Sequence, residues 1–474
     1  MSAISAFDAM GLACTREMSR DEVVWLRSKA IFHAGKVDPQ MFDGPALAPF
    51  AMVLSRASFT ELFGLAERAW QELIGVESAV IACGAAAFRR LTVPRQLRRQ
   101  LRVRPTGSKT IRVARFDFHP TASGWRVSEI NADVPGGYIE AGPITRLARE
   151  VMCLERVCDL PMDPLQELAS AVEGALACRV DRGEREAAGG GGRVALLHAT
   201  AYTDDWSVMR AVQRALAERG IESVLASPAH LGVDDLRAVG RRVTVRGVEV
   251  SAVLRFFPAE WLCQLPGKIP WREVYQIDDL IVGNPLEAIV LQSKRLPLLI
   301  EEMKSQHRRG GPPVKTAVWD ALLPRTRAIG SQRWKVSLIP DEGWALKPVW
   351  GRVGEGIVIQ GVTKPRELRA AVRSARLFPS SWLLQERFES RAVQTPVGPR
   401  HVCLGVYVIN GKAAGIYARA SEKPLIDARA QDVPTLIERD GGGGEGGLGE
   451  GQPTRRDLGV RETQSEPTAS GVSR

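Results

Sequence analysis

The pattern of apolar and polar residues predicts a hairpin followed by a strand–helix–strand unit. Residues 111–118 and 125–130 have strand-like patterns, and turn-forming residues at 119–124 separate them. Farther along, apolar runs at 193–198 and 221–226 flank a helical pattern at 205–219. Two strands joined by a helix are typically parallel, so residues 190–285 are predicted to form a small α/β domain.

The pattern after residue 315 is of a different kind. Short apolar runs at 344–349, 357–360, 382–386 and 402–409 predict strands, and residues 364–377 predict one helix. This mixture is typical of α+β structure. The fold class predicted for the chain is therefore α/β and α+β combined.

Two glycine tracts mark predicted boundaries. The first lies at 189–192, and the second has eight glycines among residues 441–451 and precedes a polar segment. We expect four parts: residues 1–189 with the hairpin, the α/β domain at 190–285, a further part at 286–439, and a disordered glycine-rich tail at 440–474.

Composition places the chain among soluble globular proteins. Hydrophobic residues make up 45% and charged residues 25%, which excludes wholesale disorder. The net charge of +10 reflects arginine, since the chain has 52 arginines and only 12 lysines. Because 54 acidic residues are interspersed among them, the charge indicates an anionic ligand, either a nucleic acid or the phosphates of a nucleotide.

The cysteines and the N-terminus predict a cytoplasmic protein. The seven cysteines form no Cys-x-x-Cys pair and have no histidine at metal-binding spacing, so reduced thiols are expected. The N-terminus lacks the pattern of a signal peptide, and no run approaches the roughly 18 apolar residues of a membrane span. We expect no membrane partner.

The predicted hairpin carries a candidate metal site. Side chains two residues apart on a strand share a face, which groups Arg115 with Asp117 and Glu129 with Asn131. Carboxylate and amide oxygens are ligands that Mg²⁺ prefers, with nucleotide phosphates completing its coordination. Spacing alone leaves open an ordinary exposed hairpin with a cross-strand ion pair.

The predicted strand at 344–349 adds a candidate phosphate site. It carries one lysine, Lys347, and leads into a loop with Gly351, Gly354 and Gly356. A buried strand rarely accepts an unpaired lysine, and glycines let backbone N–H groups approach phosphate oxygens. Together the two features favour a nucleotide site over the exposed-hairpin alternative. No Gly-x-Gly-x-x-Gly motif follows the first strand of the α/β domain, so a dinucleotide site is not predicted.

These motifs, in their order along the chain, resemble a known family. Arg-x-Asp, Glu-x-Asn-Ala-Asp-x-Pro, Phe-Pro-Ala-Glu-Trp-Leu and Lys-Pro-x-x-Gly-Arg-x-Gly follow one another as in the synthetase domain of glutathionylspermidine synthase and its relatives, over residues 20–435. That family belongs to the ATP-grasp superfamily and has a permuted order, with the acidic metal motif before the ATP-binding lysines. The resemblance implies an ATP-grasp fold with a Rossmann-like pre-ATP-grasp domain.

The resemblance also implies roles for residues at matching positions. Asp117, Glu129 and Asn131 resemble the family's Mg²⁺ ligands, and Arg115 and Arg419 resemble its catalytic arginines. The family's nucleotide-binding positions are matched by Lys294, Lys347, Gly351, Gly354, Gly356, Gln385 and Glu386. Gln385 and Glu386 lie where the family has its adenine-contacting strand.

The activity that the resemblance implies is ATP-dependent ligation. A carboxylate takes the γ-phosphoryl group of ATP to give an acyl phosphate, and an amine then attacks it to form an amide. ATP and Mg²⁺ are the implied cofactors, and the implied substrates are a small-molecule or peptide carboxylate and an amine. The amidase domain of bifunctional family members has no counterpart here, and no residue identifies glutathione or spermidine as a substrate.

The individual site residues have alternative interpretations. Lys294 could face solvent before a helix at 295–303, and Gln385 and Glu386 could simply end an edge strand. A protein that binds ATP but has lost ligase activity is therefore an alternative function.

A second alternative rests on the seven arginines at 89–104, which suggest an RNA-binding protein. Leu97 and Leu101 lie at helical spacing among them and favour the solvated face of a helix instead. A nucleic-acid partner is accordingly the less favoured interpretation.

Overall fold

The structure is a computed structural model that describes residues 3–37, 40–41, 44–102, 109–180, 192–236, 240–308, 313–329, 343–351, 354 and 356–439. The predicted tail at 440–474 lies outside these residues, as do positions 352, 353 and 355 of the glycine loop. Met1–Arg439 forms one compact unit, and its predicted division at residues 189 and 285 stays a prediction.

Helices of the described chain range from one turn to about eight turns. They are α1 (Arg20–Lys29), α2 (Arg56–Cys83), α3 (Ala85–Arg90), α4 (Arg95–Gln100), α5 (Thr145–Val151), α6 (Pro164–Val180), α7 (Thr203–Ala217), α8 (Ala259–Leu262), α9 (Trp271–Val274), α10 (Ala288–Gln292), α11 (Leu296–His307), α12 (Ala317–Leu322) and α13 (Pro365–Leu377). Ala30–Ala34 and Glu140–Ile144 are π-helical turns, and Pro228–His230 and Pro379–Ser381 are 3₁₀ turns.

The strands form several separate sheets. They are β1 (Leu12–Cys14), β2 (Gln40–Met41), β3 (Gly44–Pro45), β4 (Met52–Leu54), β5 (Thr110–Ile111), β6 (Val113–Thr121), β7 (Gly124–Asn131), β8 (Cys158–Asp159), β9 (Val194–His198), β10 (Ser223–Ala226), β11 (Leu231–Leu236), β12 (Gly240–Val245), β13 (Val248–Glu249), β14 (Ala252–Phe256), β15 (Ile281–Gly283), β16 (Thr326–Ala328), β17 (Trp344–Pro348), β18 (Val358–Ile359), β19 (Trp382–Glu386), β20 (Ala392–Thr395), β21 (Gly398–Ile409), β22 (Lys412–Ser421), β23 (Gln431–Val433) and β24 (Thr435–Glu438).

The largest sheet contains the predicted hairpin, β6 and β7. Its antiparallel strands lie in the order β23-β22-β21-β6-β7, and β20 also pairs with β21. Successive side chains of a strand point to opposite faces, so Ala114, Phe116 and Phe118 enter the core that also contains the apolar face of α2. The alternate residues of β6 consequently lie on the opposite face of the sheet.

The hairpin is longer than the sequence predicts. β6 continues to Thr121 and β7 begins at Gly124, although a turn is expected over 119–124. Pro120 lacks an N–H, but β21 pairs with β6 only as far as Phe118, so no bond to β21 is lost there. His119 therefore belongs to the strand and not to the turn.

The predicted strand–helix–strand unit is confirmed as β9, α7 and β10. The helix begins at Thr203, two residues earlier than predicted. All neighbours in the sheet β10-β9-β14-β15-β5 are parallel, as a helical crossover requires. Because β5 joins this sheet just before β6 begins, the α/β unit and the hairpin are connected by a single residue of chain.

A four-stranded antiparallel sheet carries the predicted phosphate site. Its order is β16-β19-β17-β18, and α13 packs on it through Val372 and Ala375 against Leu346 and Leu384. The strands predicted at 344–349, 357–360 and 382–386 and the helix at 364–377 are confirmed, with small shifts at their ends. Strand β19 lies between β16 and β17, so the edge-strand alternative is wrong.

The arginine-rich segment forms two short helices, α3 and α4, in place of the single predicted helix. Pro94 separates them, because the residue before a proline is disfavoured in helical conformation. Leu97 and Leu101 are buried, whereas most of the described arginines of this segment are exposed. The predicted solvated face is confirmed, and no RNA site is needed to explain it.

Two further expectations concern the whole chain. The seven cysteines form no disulfide. None of the helices in the described ranges is long and apolar enough to cross a membrane.

A fully buried ion pair connects the α/β sheet to the end of the hairpin. Arg255 on β14 donates to Asp133, two residues beyond β7, over 2.5 Å, and neither side chain has exposed surface. Asp133 also accepts from the backbone N–H of Ala259 at 2.9 Å, and Arg255 donates to the carbonyl of Phe257. The pair fixes the chain that leaves the hairpin.

We expect Arg255→Met to lower the free energy of unfolding by about 3–5 kcal/mol, because Asp133 keeps a buried charge without its cation. Urea denaturation followed by circular dichroism measures the change. Arg193→Met is the matched control: Arg193 pairs with Glu222 at the surface, where loss of a pair costs about 0–1 kcal/mol. Equal effects of the two substitutions would contradict the expectation.

Candidate functional site

A cavity of about 650 Å³ lies between the polar face of the hairpin sheet and the sheet that carries Lys347. Most of the residues singled out in the sequence line it: Arg115, Asp117, Glu129, Asn131, Lys347, Gly354, Gln385, Glu386 and Arg419. Lys294 does not line the cavity itself but contacts Glu129, which does. Gly351 and Gly356 lie outside the lining.

Strand register aligns the hairpin residues across the sheet. Asp117 lies opposite Glu129, and Arg115 lies opposite Asn131, which confirms the predicted pairing of β6 with β7. The register shifts after Asp117, so Ser128 is an extra residue on β7. Such a bulge changes the direction of nearby groups; here the Ser128 carbonyl accepts from Lys347 at 3.3 Å.

Arg115 is held in place before any ligand binds. Its Nε and Nη2 donate to the two carboxylate oxygens of Asp117 at 2.7 and 3.0 Å, and its Nη1 donates to the carbonyl of Gly136 at 2.5 Å. The guanidinium carbon lies 5.0 Å from the ring centre of Tyr417 on β22. Gly405 on the strand between them makes this reach possible, since a Cβ there would lie 2.6 Å from Arg115 Cδ.

The two predicted nucleotide lysines meet the hairpin from different elements. Lys294 lies just before α11, and its Nζ is 3.1 Å from a carboxylate oxygen of Glu129 and also donates to the carbonyl of Gly351. The solvent-facing interpretation of Lys294 is therefore wrong. Lys347 on β17 is buried and donates to Gln385 Oε1 on β19 at 2.5 Å.

Burial and neighbouring charge set the protonation of these groups. The pKa of Lys347 is lowered to about 8, chiefly by burial and also by the Lys294 cation, against the opposing effect of Glu129. Burial alone would raise the pKa of Glu129, but Lys294 and Lys347 outweigh it and keep that pKa below its usual value. The site therefore keeps its carboxylate ionised and contains one lysine that titrates near neutral pH.

The hairpin oxygens suit a Mg²⁺ that arrives with phosphates. Asn131 donates its Nδ2 to Asp117 at 3.0 Å, so its Oδ1 stays available, and each carboxylate has lone pairs beyond those its cation uses. In the described ranges no three His, Cys, Asp or Glu side chains form a metal-binding group. Two carboxylates and one amide would be the donors, a set that fits how Mg²⁺ binds through few protein oxygens and substrate phosphates.

Arg419 and Gly354 both contact the loop between β22 and β23 in the wall of the cavity. Arg419 Nη2 donates to the carbonyls of Asp427 and Ala430 at 2.8 and 3.0 Å, which holds the loop between β22 and β23. Gly354, at φ +71°, packs against that loop, where a Cβ would lie 2.5 Å from the carbonyl oxygen of Ile426. Without a ligand, Arg419 thus supports the wall that the glycine loop touches.

The side chains of Gln385 and Glu386 point to opposite faces of the sheet, as those of adjacent strand residues do. The Gln385 side chain is buried beside Lys347, whereas the Glu386 carboxylate pairs with the exposed Arg325 at 2.9 Å. Both residues line the cavity.

Sequence reasoning missed two features of the cavity wall. His119 shares the face of Arg115 and Asp117, and its Nε2 lies 3.0 Å from Ser128 Oγ. Burial and the Lys347 charge lower the pKa of His119 to about 3, so its ring is neutral. The period-two pattern of β6 contained this signal, but the predicted turn ended the strand before His119.

The second missed feature is a cluster of charges on distant segments. Lys36 contacts Glu140 and lies 3.0 Å from Asp432, which also accepts from the Tyr417 hydroxyl at 2.6 Å. Lys36 is 104 positions from Glu140 and 396 positions from Asp432 along the chain, so no local sequence pattern groups them.

Comparison with known proteins identifies the family. The family model described as glutathionylspermidine synthase pre-ATP-grasp matches residues 51–438, which is most of the chain. The chain belongs to the glutathionylspermidine synthase family. No curated protein sequence matches the chain significantly.

Solved structures show what fold this glutathionylspermidine synthase family member shares. A glutathione synthetase-like effector from Globodera pallida, in its apo form, is 13% identical and has a TM-score of 0.59, over 88% of this chain and 95% of that chain. A putative gamma-glutamylcysteine synthetase from Methylobacillus flagellatus KT is 13% identical over 74% of this chain and 82% of that chain, with a TM-score of 0.38 that is too low to inform the fold. The mixed α/β, ATP-grasp-like synthetase fold and a ligase-type function in general are thus supported.

The lowered pKa of Lys347 predicts that nucleotide affinity depends on pH. Below pH 8 the lysine is mostly charged, and above it the free protein loses a charge that would attract phosphate. We expect the affinity for Mg·ADP to fall on the order of eightfold between pH 7.5 and 9, as the protonated fraction of a group with this pKa does. Isothermal titration calorimetry measures it.

Lys347→Arg is the control for that pH dependence, because arginine stays charged throughout this range. Its Mg·ADP affinity is expected to stay constant between pH 7.5 and 9, whatever its absolute value. The same fall in both proteins would assign the titration to another group.

Proposed function

We propose that the chain is an ATP-dependent carboxylate–amine ligase, which forms an amide through an acyl phosphate. The observation that carries the proposal is the meeting of the Asp117–Glu129 carboxylates with Arg115, Lys294 and Lys347 at one cavity. This set of charges suits the triphosphate of ATP with Mg²⁺.

Each of these side chains has a role that fits phosphoryl transfer, in which catalysis is mostly positioning and electrostatic stabilisation. Asp117, Glu129 and Asn131 would hold Mg²⁺, which when bound neutralises phosphate charge. Lys294 and Lys347 would exchange their contacts with Glu129 and Gln385 for phosphate oxygens. Arg115, already oriented by Asp117, would stabilise the charge that develops on the transferred group.

The amine and carboxylate would enter where charged residues outside the proposed nucleotide site line the cavity. The wall there includes the Lys36–Glu140–Asp432 cluster and Arg419, which offer both signs of charge. Charged walls of this kind suit small polar substrates. Of the many arginines in the chain, only Arg115 and Arg419 have a role in this proposal.

A pooled-substrate assay tests the function. The protein is incubated with ATP, Mg²⁺ and mixed amino acids, small peptides and polyamines, and phosphate release and new masses are read together. We expect phosphate release that requires a carboxylate and an amine, with a product lighter than their sum by one water. Lys347→Ala should abolish both signals. ATP binding without any substrate-dependent phosphate release would favour the protein that has lost ligase activity.

Asp117→Asn tests the metal assignment without any substrate. We expect the Mg²⁺ concentration that supports half-maximal ADP binding to rise about tenfold or more, an effect that even outer-shell substitutions reach at metal sites. Calorimetric titrations of ADP at several Mg²⁺ concentrations measure it. Asp159→Asn, which affects a carboxylate paired with Arg56 away from the cavity, is the matched control and should bind as the wild type does. Unchanged Mg²⁺ dependence in Asp117→Asn would remove that residue from the metal site.

A further inference from the structure

Gln292 is a buried amide at the wall of the cavity, and none of the roles above uses it. It ends α10, two residues before Lys294, and only 6% of it is exposed. It lines the cavity although most of α10 lies in the core. A buried polar side chain at this position requires hydrogen-bond partners.

The oxygen of the Gln292 amide is fully engaged by the backbone that follows the hairpin. Its Oε1 accepts from the N–H of Ala132 at 2.9 Å and from the N–H of Asp133 at 3.0 Å. The reverse orientation would place an NH₂ group against two N–H donors and leave both of them unpaired, at a cost of about 1–3 kcal/mol each. The hydrogen-bond network therefore fixes which way the amide points.

The backbone that orients Gln292 is itself rigidly held. Asn284 donates its Nδ2 to the carbonyls of Ala132 and Asp133 at 3.2 and 2.8 Å, and the Asp133 side chain is held by Arg255. On the other side, Ser293 donates to the carbonyl of Leu91 at 2.8 Å. The amide thus sits between two anchored segments and has little freedom to turn.

The nitrogen of this amide has no hydrogen-bond partner within the described part of the chain, and it belongs to a residue of the cavity wall. An NH₂ group only donates, so it fits a ligand that offers an acceptor oxygen. Asn131, directly before Ala132, is the register partner of Arg115, so the amide lies at the Arg115 end of the hairpin. The Arg115 guanidinium lies at that end and lines the same cavity, and a cation there favours an anionic acceptor.

We infer that Gln292 donates a hydrogen bond from Nε2 to an oxyanion at the Arg115 end of the cavity. The inference rests on the proposed function, under which that oxyanion is the transferred phosphoryl group of ATP or the carboxylate that receives it. Gln292 is then a ligand-contacting residue, which the hairpin backbone orients before the ligand arrives.

Gln292→Glu tests the donor while keeping the anchor, because a carboxylate oxygen still accepts from both backbone N–H groups. Calorimetry compares Mg·AMPPNP, which has the third phosphoryl group, with Mg·ADP, which lacks it. We expect Mg·AMPPNP to bind about tenfold to a hundredfold more weakly than to the wild type, the usual range for a hydrogen bond to a charged group, with Mg·ADP unchanged within about twofold. Gln292→Met, which adds no charge, should also weaken Mg·AMPPNP selectively.

Acetate distinguishes the second source of the oxyanion. If Gln292 instead contacts the receiving carboxylate, both nucleotides should bind the two variants as they bind the wild type. Saturation-transfer NMR should then show that acetate binds the Mg·ADP complex of the wild type but not the Mg·ADP complexes of the variants. Gln213→Glu makes the same change on α7 outside the cavity wall, and this control should keep the wild-type response to all three probes. Wild-type binding of all three probes by Gln292→Glu and Gln292→Met would overturn the inference alone. Failure of the wild type to bind Mg·AMPPNP would overturn the proposed function, and the inference with it.

Discussion

Asp117 and Glu129 place two negative charges on one face of a buried hairpin, and such charges are stable only beside cations. Arg115 on the same strand balances one of them, and Lys294 from a distant segment balances the other. The same cations suit the phosphates of a nucleotide. The requirement for charge balance thus assembles, in the ligand-free protein, the groups that a triphosphate and Mg²⁺ would later share among themselves.

The rest of the fold brings these partners together from three places. The antiparallel sheet fixes the register of Asp117 against Glu129, and the glycine at 405 lets Arg115 lie across to Tyr417. The parallel sheet holds the end of the hairpin through Arg255 and Asp133. The small sheet with α13 supplies Lys347 and Gln385 from the opposite side of the cavity. Asp117 is therefore balanced within its own strand, whereas Glu129 is balanced by a cation from another element.

Sequence alone could predict the parts of the site that depend on local spacing. Period-two alternation predicts which hairpin residues share a face. An isolated lysine before a glycine loop singles out Lys347, which lines the cavity. The length of β6 was underestimated because Pro120 normally ends a strand, and its tolerance depends on where a non-local partner, β21, stops pairing. Gln292 and the Lys36–Glu140–Asp432 cluster have no local signature, since their partners lie far away along the chain.

Under the proposed function, a carboxylate oxygen attacks the γ-phosphorus of ATP in this cavity. The most direct test uses a pool of amino acids and small peptides whose carboxylates carry ¹⁸O, incubated with the protein, ATP, Mg²⁺ and mixed amines. Mass spectrometry of the released phosphate then shows where its oxygens came from. We expect phosphate with one ¹⁸O atom, because cleavage of the acyl phosphate leaves the bridging carboxylate oxygen on phosphorus. Unlabelled phosphate, released at the same rate with or without the pool, would contradict it.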